Sequence, residues 1–475
     1  MTESQTNIAH LFAQAAKLAF AFRAGLDERP QRPEVDYAEA LAAFEMPTPQ
    51  TGEPAEAVLE DLVRRATPGL HATTGSRFFG WVIGGSHPVG VVADWMTSTW
   101  GQNAGNHTAS PSAAACETVA ARWLLDLLDL PREASVGFVT GATVANFVAL
   151  AAARSEVLLR LGWNVEAKGL FDAPPIQVLI GDAAHSTVFS ALQYLGLGHE
   201  RVTRVATDRE GAMLPDAFTR VMRNVDWDAP LIVVTQAGQI NTGAFDPYAA
   251  IIDATRVHSN CWIHVDGAFG LWARACPARA ALADGIEGAD SWATDGHKWL
   301  QTPYDCGYAI VRNADAHRRA MMIAASYLPS VGDGERDPSH YVPELSRRAR
   351  GFATWAMLRH YGREGIAALV ERHCHLARLI ADTLRGEPGI AIVNDVVLNQ
   401  VILRFGAGEE AQKGDDLTRR TITALQRDGT CFAGGAQWQG RWVMRLSLIG
   451  CETSEADALR SASAIVQAWR EVREG

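Results

Sequence analysis

Trp262-Ile263-His264-Val265-Asp266-Gly267-Ala268 is an apolar run of strand length that ends in an acid and passes at once into small residues. Working outward, Leu231-Ile232-Val233-Val234 and Gln177-Val178-Leu179-Ile180 are runs of the same length, each bounded by turn residues and followed by helical patterns. Val136-Gly137-Phe138-Val139 likewise precedes a helical stretch over 143–161. Short apolar runs that alternate with longer helical ones predict an α/β layer, a mostly parallel central sheet flanked by helices. In such sheets ligands gather beyond the carboxyl ends of the strands, which is where Asp266 falls.

This pattern fills residues 76–350, the expected large α/β domain. Residues 1–75 read as a helical arm with a proline-rich link (Arg29-Pro30 to Pro47-Thr48-Pro49) and little core of its own, suited to packing on a second subunit. Residues 351–475 read as a small α+β domain. A helix over 352–361 leads into a second helical run, then strands over 390–393, 397–405 and 442–448. A closing helix begins at Ser454, with Asp457 as its capping partner.

The chain has 475 residues, 48% of them apolar and 20% charged, which fits a globular enzyme and excludes a disordered chain. The net charge of −11 argues against nucleic acid or an anionic membrane as partner. Seven scattered cysteines without Cys-x-x-Cys spacing read as reduced thiols of a cytoplasmic protein. His373-Cys374-His375 sit side by side on an expected surface helix, where neighbours point about 100° apart, so no metal site is expected. The N-terminal stretch from Leu11 to Phe22 is broken by Gln14 and Lys17, and no membrane span is expected.

Three loops after strands carry chemistry. Thr140-Gly141-Ala142-Thr143 joins a strand to a helix, and a helix N-terminus with small residues suits an anion such as phosphate. Asp266 is an acid that is costly to bury without a cation or donor. In Asp295-Gly296-His297-Lys298-Trp299-Leu300 a lysine lies among residues of interior type, where desolvation lowers its pKa and frees its amine for a Schiff base. A phosphate turn, an acid and a lysine, in that order, match the needs of pyridoxal 5'-phosphate: a phosphate site, a carboxylate for the ring nitrogen and an amine for the aldehyde.

With these residues in view, the chain resembles the group II pyridoxal-dependent decarboxylases (the aromatic-L-amino-acid, histidine and glutamate decarboxylases) over nearly its whole length, most specifically from Ala289-Asp290-Ser291 to Cys306-Gly307. The resemblance implies the fold of fold-type I pyridoxal enzymes and a homodimer with the active site at the subunit interface. It makes Lys298 the Schiff-base lysine and Asp266 the partner of the ring nitrogen. His297 and the backbone at Ala142 and Thr143 would hold phosphate, and His185 would stack on the ring. Ser110-Pro111-Ser112 with Glu117 resembles the turn and helix at the family's dimer interface. Tyr327 matches a loop tyrosine that protonates the carbanion, with Tyr341 as the other candidate; its retention favours decarboxylation over aldehyde formation. Arg350 reads equally as a site residue or as a solvated basic helix start. The resemblance also puts Trp81 in the side-chain pocket and has His107, Trp100 and Asn106 entering from a partner subunit as substrate contacts; for each tryptophan, core packing reads at least as well. Departures are Asp295-Gly296 where the aromatic-acid enzymes usually carry Asn-Pro, Gln239 where threonine is common, and Gly-Ala-Thr in the anion turn.

The expected activity is L-amino-acid α-decarboxylation, with an aromatic substrate weakly favoured. An aldehyde synthase or aminotransferase-like enzyme on the same cofactor is the alternative, and a catalytically silent cofactor-binding protein the third reading.

Overall fold

The computed structural model describes residues 3–322 and 335–474. They form two compact units, one of residues 86–377 and 394–400, the other of 1–85, 378–393 and 401–475. The boundaries expected at 75 and 350 fall inside these units. Residues just beyond 75 stay with the smaller unit because Phe79 donates its N–H to the Phe432 carbonyl (2.8 Å) and accepts from the Ser447 N–H (3.0 Å). The helix Gly351–Arg385 begins in the larger unit, which keeps it as far as Ala377.

The larger unit is built on seven strands: β1 Ser135–Val139, β2 Gln177–Gly181, β3 Thr203–Val205, β4 Leu231–Gln236, β5 Cys261–Asp266, β6 Ser291–Asp295 and β7 Gly307–Val311. Their order is β1-β7-β6-β5-β4-β2-β3. Only β7 runs against its neighbours; the rest are parallel, as the apolar runs predicted. Every residue of β4, β6 and β7 is buried, the mark of strands covered on both faces. Register pairs Gln236 with Asp266, and Asp266 with Ala293, so the carboxyl ends of β4, β5 and β6 share one edge. Because β1 is parallel to them, the turn after Val139 opens at that edge too.

From that turn runs the helix Ala142–Leu159, whose fully buried Ala145, Ala149 and Ala152 lie on one face at i, i+4 and i+7. Small side chains there let the helix lie close to its neighbours. It is long and apolar enough to cross a bilayer by composition, yet 67% of it is buried inside the protein, as suits a core helix. Four indoles fill the same core, and each N–H finds an acceptor: Trp262 on Ser291 Oγ, Trp272 on the Asp295 carbonyl, Trp292 on the Ile286 carbonyl and Trp299 on His373 Nδ1.

The smaller unit holds an antiparallel sheet of β8 Ile390–Ile392, β9 Gln400–Phe405, β10 Gly434–Trp438 and β11 Arg441–Ser447, in the order β10-β11-β9-β8. Gln439 and Gly440, both at positive φ, make the tight β10–β11 turn. The closing helix Glu455–Glu474 is capped reciprocally by Ser454 and Asp457, as the sequence predicted. The arm consists of the helices Glu3–Ala24, Tyr37–Phe44 and Ala55–Ala66.

Candidate active site

At the shared strand edge lies a narrow cleft lined by His185, Gln236, Gly238, Ile240, Asp266, Ala268, Phe269 and Lys298. Three expected residues, Lys298, Asp266 and His185, thus meet in one place. Lys298 stands on the turn after β6. Its carbonyl accepts from Gln301 Nε2 (2.9 Å), and the next residue, Trp299, is locked by its bond to His373. The amine lies 6.0 Å from the centre of the Phe269 ring and 2.9 Å from Asp295 Oδ2.

Asp266 ends β5 and is 5% exposed. Burial pushes its proton affinity up, while His185, Lys298 and the Ala268 N–H (3.3 Å) pull it down and Asp295 adds to the rise. A carboxylate in that setting is ready to share a proton with a basic nitrogen. His297 is buried as well, which pushes its ring below the usual histidine range despite the opposing pull of Asp295. Its Nδ1 accepts the Cys306 N–H at 3.2 Å, and its ring stacks on Tyr304 at 4.2 Å.

The anion turn is a close backbone crossing. A Cβ on Gly307 would lie 2.6 Å from Gly141 Cα, and one on Gly141 would lie 3.0 Å from His297 Cε1. The Ala142 N–H is taken by Asp295 Oδ1 at 2.6 Å, whereas the N–H groups of Thr143 and Val144 have no acceptor among the described residues. Such orphan amides at a helix start are an anion cradle.

His185 caps the helix Ser186–Tyr194, and its orientation is set by a buried chain of hydrogen bonds. Trp262 Nε1 donates to Ser291 Oγ (2.9 Å), and Ser291 meets His264 Nδ1 at 2.9 Å. His264 Nε2 lies 2.9 Å from Asn146 Oδ1, an acceptor, so the Nε2 proton points there and Nδ1 must accept from the Ser291 hydroxyl. Burial holds His264 down to about 3, consistent with this neutral ring. Asn146 Nδ2 donates to Thr187 Oγ1 (3.5 Å), and the Thr187 hydroxyl and N–H both donate to His185 Nδ1 (2.8 and 3.3 Å). Every link has one polarity, and the last leaves the His185 proton on Nε2.

Other expected residues lie elsewhere. Tyr327 falls outside the described residues. Tyr341 belongs to a turn against β1: its carbonyl accepts from His317 Nε2 (2.9 Å), and Arg336 lies 4.4 Å over its ring. His107 is bound to Asp337, with Nδ1 2.7 Å from Oδ1. Arg350 pairs with Asp305 at 2.8 Å and keeps one buried nitrogen, Nη1, without a partner among the described residues. Trp81 is part of the smaller unit, half exposed, and packs with His71, Phe78 and Phe432. Gln239 Oε1 accepts the Asn241 and Thr242 N–H groups (2.6 and 3.2 Å), which makes it a turn brace. The helix bearing His373-Cys374-His375 is not the expected surface helix: His373 and Cys374 are buried, and only His375 faces outward.

Sequence reasoning passed over Asp295 as a site residue, although it ends β6 as Asp266 ends β5. Of the basic run it named Arg350 and not Arg347, which the structure places in the interior and not among the residues lining the cleft. Arg347 is the fully buried arginine, paired with buried Glu117 at 2.6 Å and donating to the Ala104 and Phe138 carbonyls (2.9 and 2.7 Å). The signal available was Glu117 itself, a glutamate in an alanine-rich helix that needs a cation.

Comparison with known proteins agrees with this geometry. Residues 38–405 match the pyridoxal-dependent decarboxylase conserved domain. A phenylacetaldehyde synthase of Arabidopsis thaliana is 27% identical, covering 88% of this chain and 86% of that protein. An aromatic-L-amino-acid decarboxylase of Bacillus atrophaeus is 26% identical over 87% and 85%. Among solved structures, Oryza sativa TDC with PLP and tryptamine shares the fold at TM-score 0.91 and 22% identity, covering 99% of both chains. Mouse CSAD shares it at TM-score 0.89 and 21% identity over 98% of both. The chain therefore belongs to the pyridoxal-dependent decarboxylase family and is an enzyme that works with pyridoxal 5'-phosphate.

Proposed function

We propose that the protein removes the α-carboxylate of an L-amino acid to give carbon dioxide and the amine, with an aromatic side chain as the favoured substrate. The observation that carries this is the convergence of Lys298, Asp266 and His185 on one cleft beside the open amides of Thr143 and Val144. The aromatic preference rests on the aromatic-acid decarboxylases among the relatives.

When bound, pyridoxal phosphate supplies an electron-poor ring that accepts the pair left behind as the carboxylate departs. Lys298 offers the amine that holds the aldehyde, and Thr143 and Val144 offer amides to the phosphate. Asp266, desolvated and hydrogen-bonded only weakly by Ala268, holds a proton at the ring nitrogen. His185 presents a ring of fixed tautomer. Ile240, Ala268 and Phe269 give the cleft an apolar side that excludes water and strengthens these charges. Tyr327 is assigned the return of the proton to Cα on family resemblance. A homodimer is supported by apolar residues left exposed on the helix Glu3–Ala24, among them Phe12 (54%) and Phe20 (74%).

The test is a panel of amino acids on purified holoenzyme, scored for carbon dioxide, amine, aldehyde and keto acid. Amine with equimolar carbon dioxide is the expected result. Aldehyde with ammonia would instead place the chain beside its aldehyde-synthase relatives. Lys298→Ala should abolish the visible band of covalently bound cofactor; a band that persists refutes the assignment of Lys298.

A further inference from the structure

The carboxylate of Asp295 occupies an unusual position for an acid beside a phosphate cradle. It is 2% exposed, and its Oδ1 takes the first N–H of the helix Ala142–Leu159 at 2.6 Å, while Oδ2 lies 2.9 Å from the Lys298 amine. His297 Nε2 is 3.5 Å from the same Oδ1, and a Cβ on Gly141 would lie 3.2 Å from it. An anion already sits on the positive end of the helix dipole, next to the two amides that remain open.

We propose that Asp295 is a stand-in anion: it caps the turn and pairs with Lys298 before the cofactor arrives, then opposes the cofactor's phosphate once it is there. The inference rests on the reading that the phosphate takes the turn at Ala142–Val144. Without cofactor, the Asp295 carboxylate is met on one side by the Lys298 amine and on the other by the helix terminus. With the Lys298 nitrogen drawn away to the aldehyde, Asp295 would lose its partner at 2.9 Å and face a phosphate across one helix terminus. His297 does not replace the lost cation, because burial favours its neutral ring. The phosphate therefore contributes less to cofactor affinity here than it would beside a neutral residue, and apoprotein and holoprotein differ in what holds the turn.

The experiment measures cofactor binding rather than turnover. Apoprotein of wild type, Asp295→Asn and Asp295→Ser is titrated with pyridoxal 5'-phosphate and separately with pyridoxal, followed by tryptophan emission and the visible band. Removing one like charge should tighten pyridoxal phosphate by roughly tenfold in both variants, within the usual span of coupling between charged groups. Pyridoxal, which lacks the phosphate, should tighten clearly less, by no more than the release of the Lys298 amine from Asp295 gives to both aldehydes. The cofactor-free variants should melt below wild type, having lost the acid that caps the helix. An unchanged or weaker affinity for pyridoxal phosphate, or equal tightening of pyridoxal, overturns the proposal. Inorganic phosphate on wild-type apoprotein is the check that needs no variant: at millimolar concentration it should leave the melting temperature unmoved because the carboxylate holds the site, and a clear rise overturns the proposal. A wild type that forms no visible band with either aldehyde, and resembles Lys298→Ala in this, removes the functional reading and this inference with it. Normal bands with no Asp295 effect remove this inference alone.

Discussion

His264→Leu tests the buried chain that orients His185. The substitution is close to volume-neutral, and His264 is fully buried, so the cost comes from the partners left behind. Asn146 Oδ1 loses its donor at 2.9 Å, and the Ser291 hydroxyl loses its acceptor at 2.9 Å. Each orphaned buried group costs about 1–3 kcal/mol, so the loss is roughly 2–6 kcal/mol, a large part of a typical 5–15 kcal/mol stability. Urea unfolding of the apoprotein, read by tryptophan emission, measures it.

The double variant Asn146→Leu/His264→Leu separates an orphaned partner from a merely damaged core. Removing both ends of the bond leaves less unsatisfied, so the double should cost at least about 1 kcal/mol less than the sum of the singles. Nitrogen-15 spectra of His185 give the readout that a purely structural role would not move. Wild type should show the proton on Nε2; His264→Leu should show a mixed tautomer population, and His264→Gln should restore part of the wild-type signal. Additive costs with an unchanged His185 spectrum would refute the chain as a positioning device.

His317 is fully buried between Ser135 Oγ and the Tyr341 carbonyl, and burial pulls it down to about 3. Between that value and the ordinary 6.5 the unfolded chain binds a proton that the native protein refuses, so stability is complete above about pH 6.5 and falls on acidification. Against His317→Gln, the wild type should lose about 1.4 kcal/mol per pH unit through that window, and parallel pH curves would disprove it. Gly307→Ala drives a methyl to 2.6 Å from Gly141 Cα, a contact with backbone that cannot swing aside. It should cost about 1–3 kcal/mol and weaken pyridoxal phosphate binding, and wild-type affinity in a folded variant would show that the turn is not the phosphate cradle.

What the sequence showed of the fold was whatever burial imposes on consecutive residues. β2, β4 and β5 were visible because parallel strands covered on both faces need unbroken apolar runs. The break in the long helix at Tyr361 was visible because Gly362 follows, and the structure holds that glycine at φ 60° inside Gly351–Arg385. β10 was missed because Gly434-Gly435-Ala436-Gln437 alternates half-buried and exposed positions, with only Trp438 buried, and is a strand through its partner β11. β3 escaped for the same reason, an edge strand whose first two residues are exposed.

In the site, Lys298 and Asp266 could be read because each stands at a place where its residue type is expensive. His185 needed the family resemblance. Asn146, Thr187 and His264 could not be read, since 118 residues separate His264 from Asn146 and 41 separate Asn146 from Thr187. Arg347, Arg348 and Arg350 look alike in one dimension; Glu117, 230 residues away, selects the first by meeting it in the interior.

Two acids end adjacent parallel strands, and their surroundings push them towards different work. Asp295 accepts a helix N-terminal amide at 2.6 Å and lies 2.9 Å from the Lys298 amine. Asp266 has one long amide bond, and burial raises its proton affinity. The two acids differ in their partners: the first braces the helix start, and the second lines the cleft. Lys298 stands between them in charge terms. It pairs with Asp295 and lowers the proton affinity of Asp266, so drawing its cation away from Asp295 changes the field at both acids. The Lys298 amine is therefore the group that links the two acids ending β5 and β6.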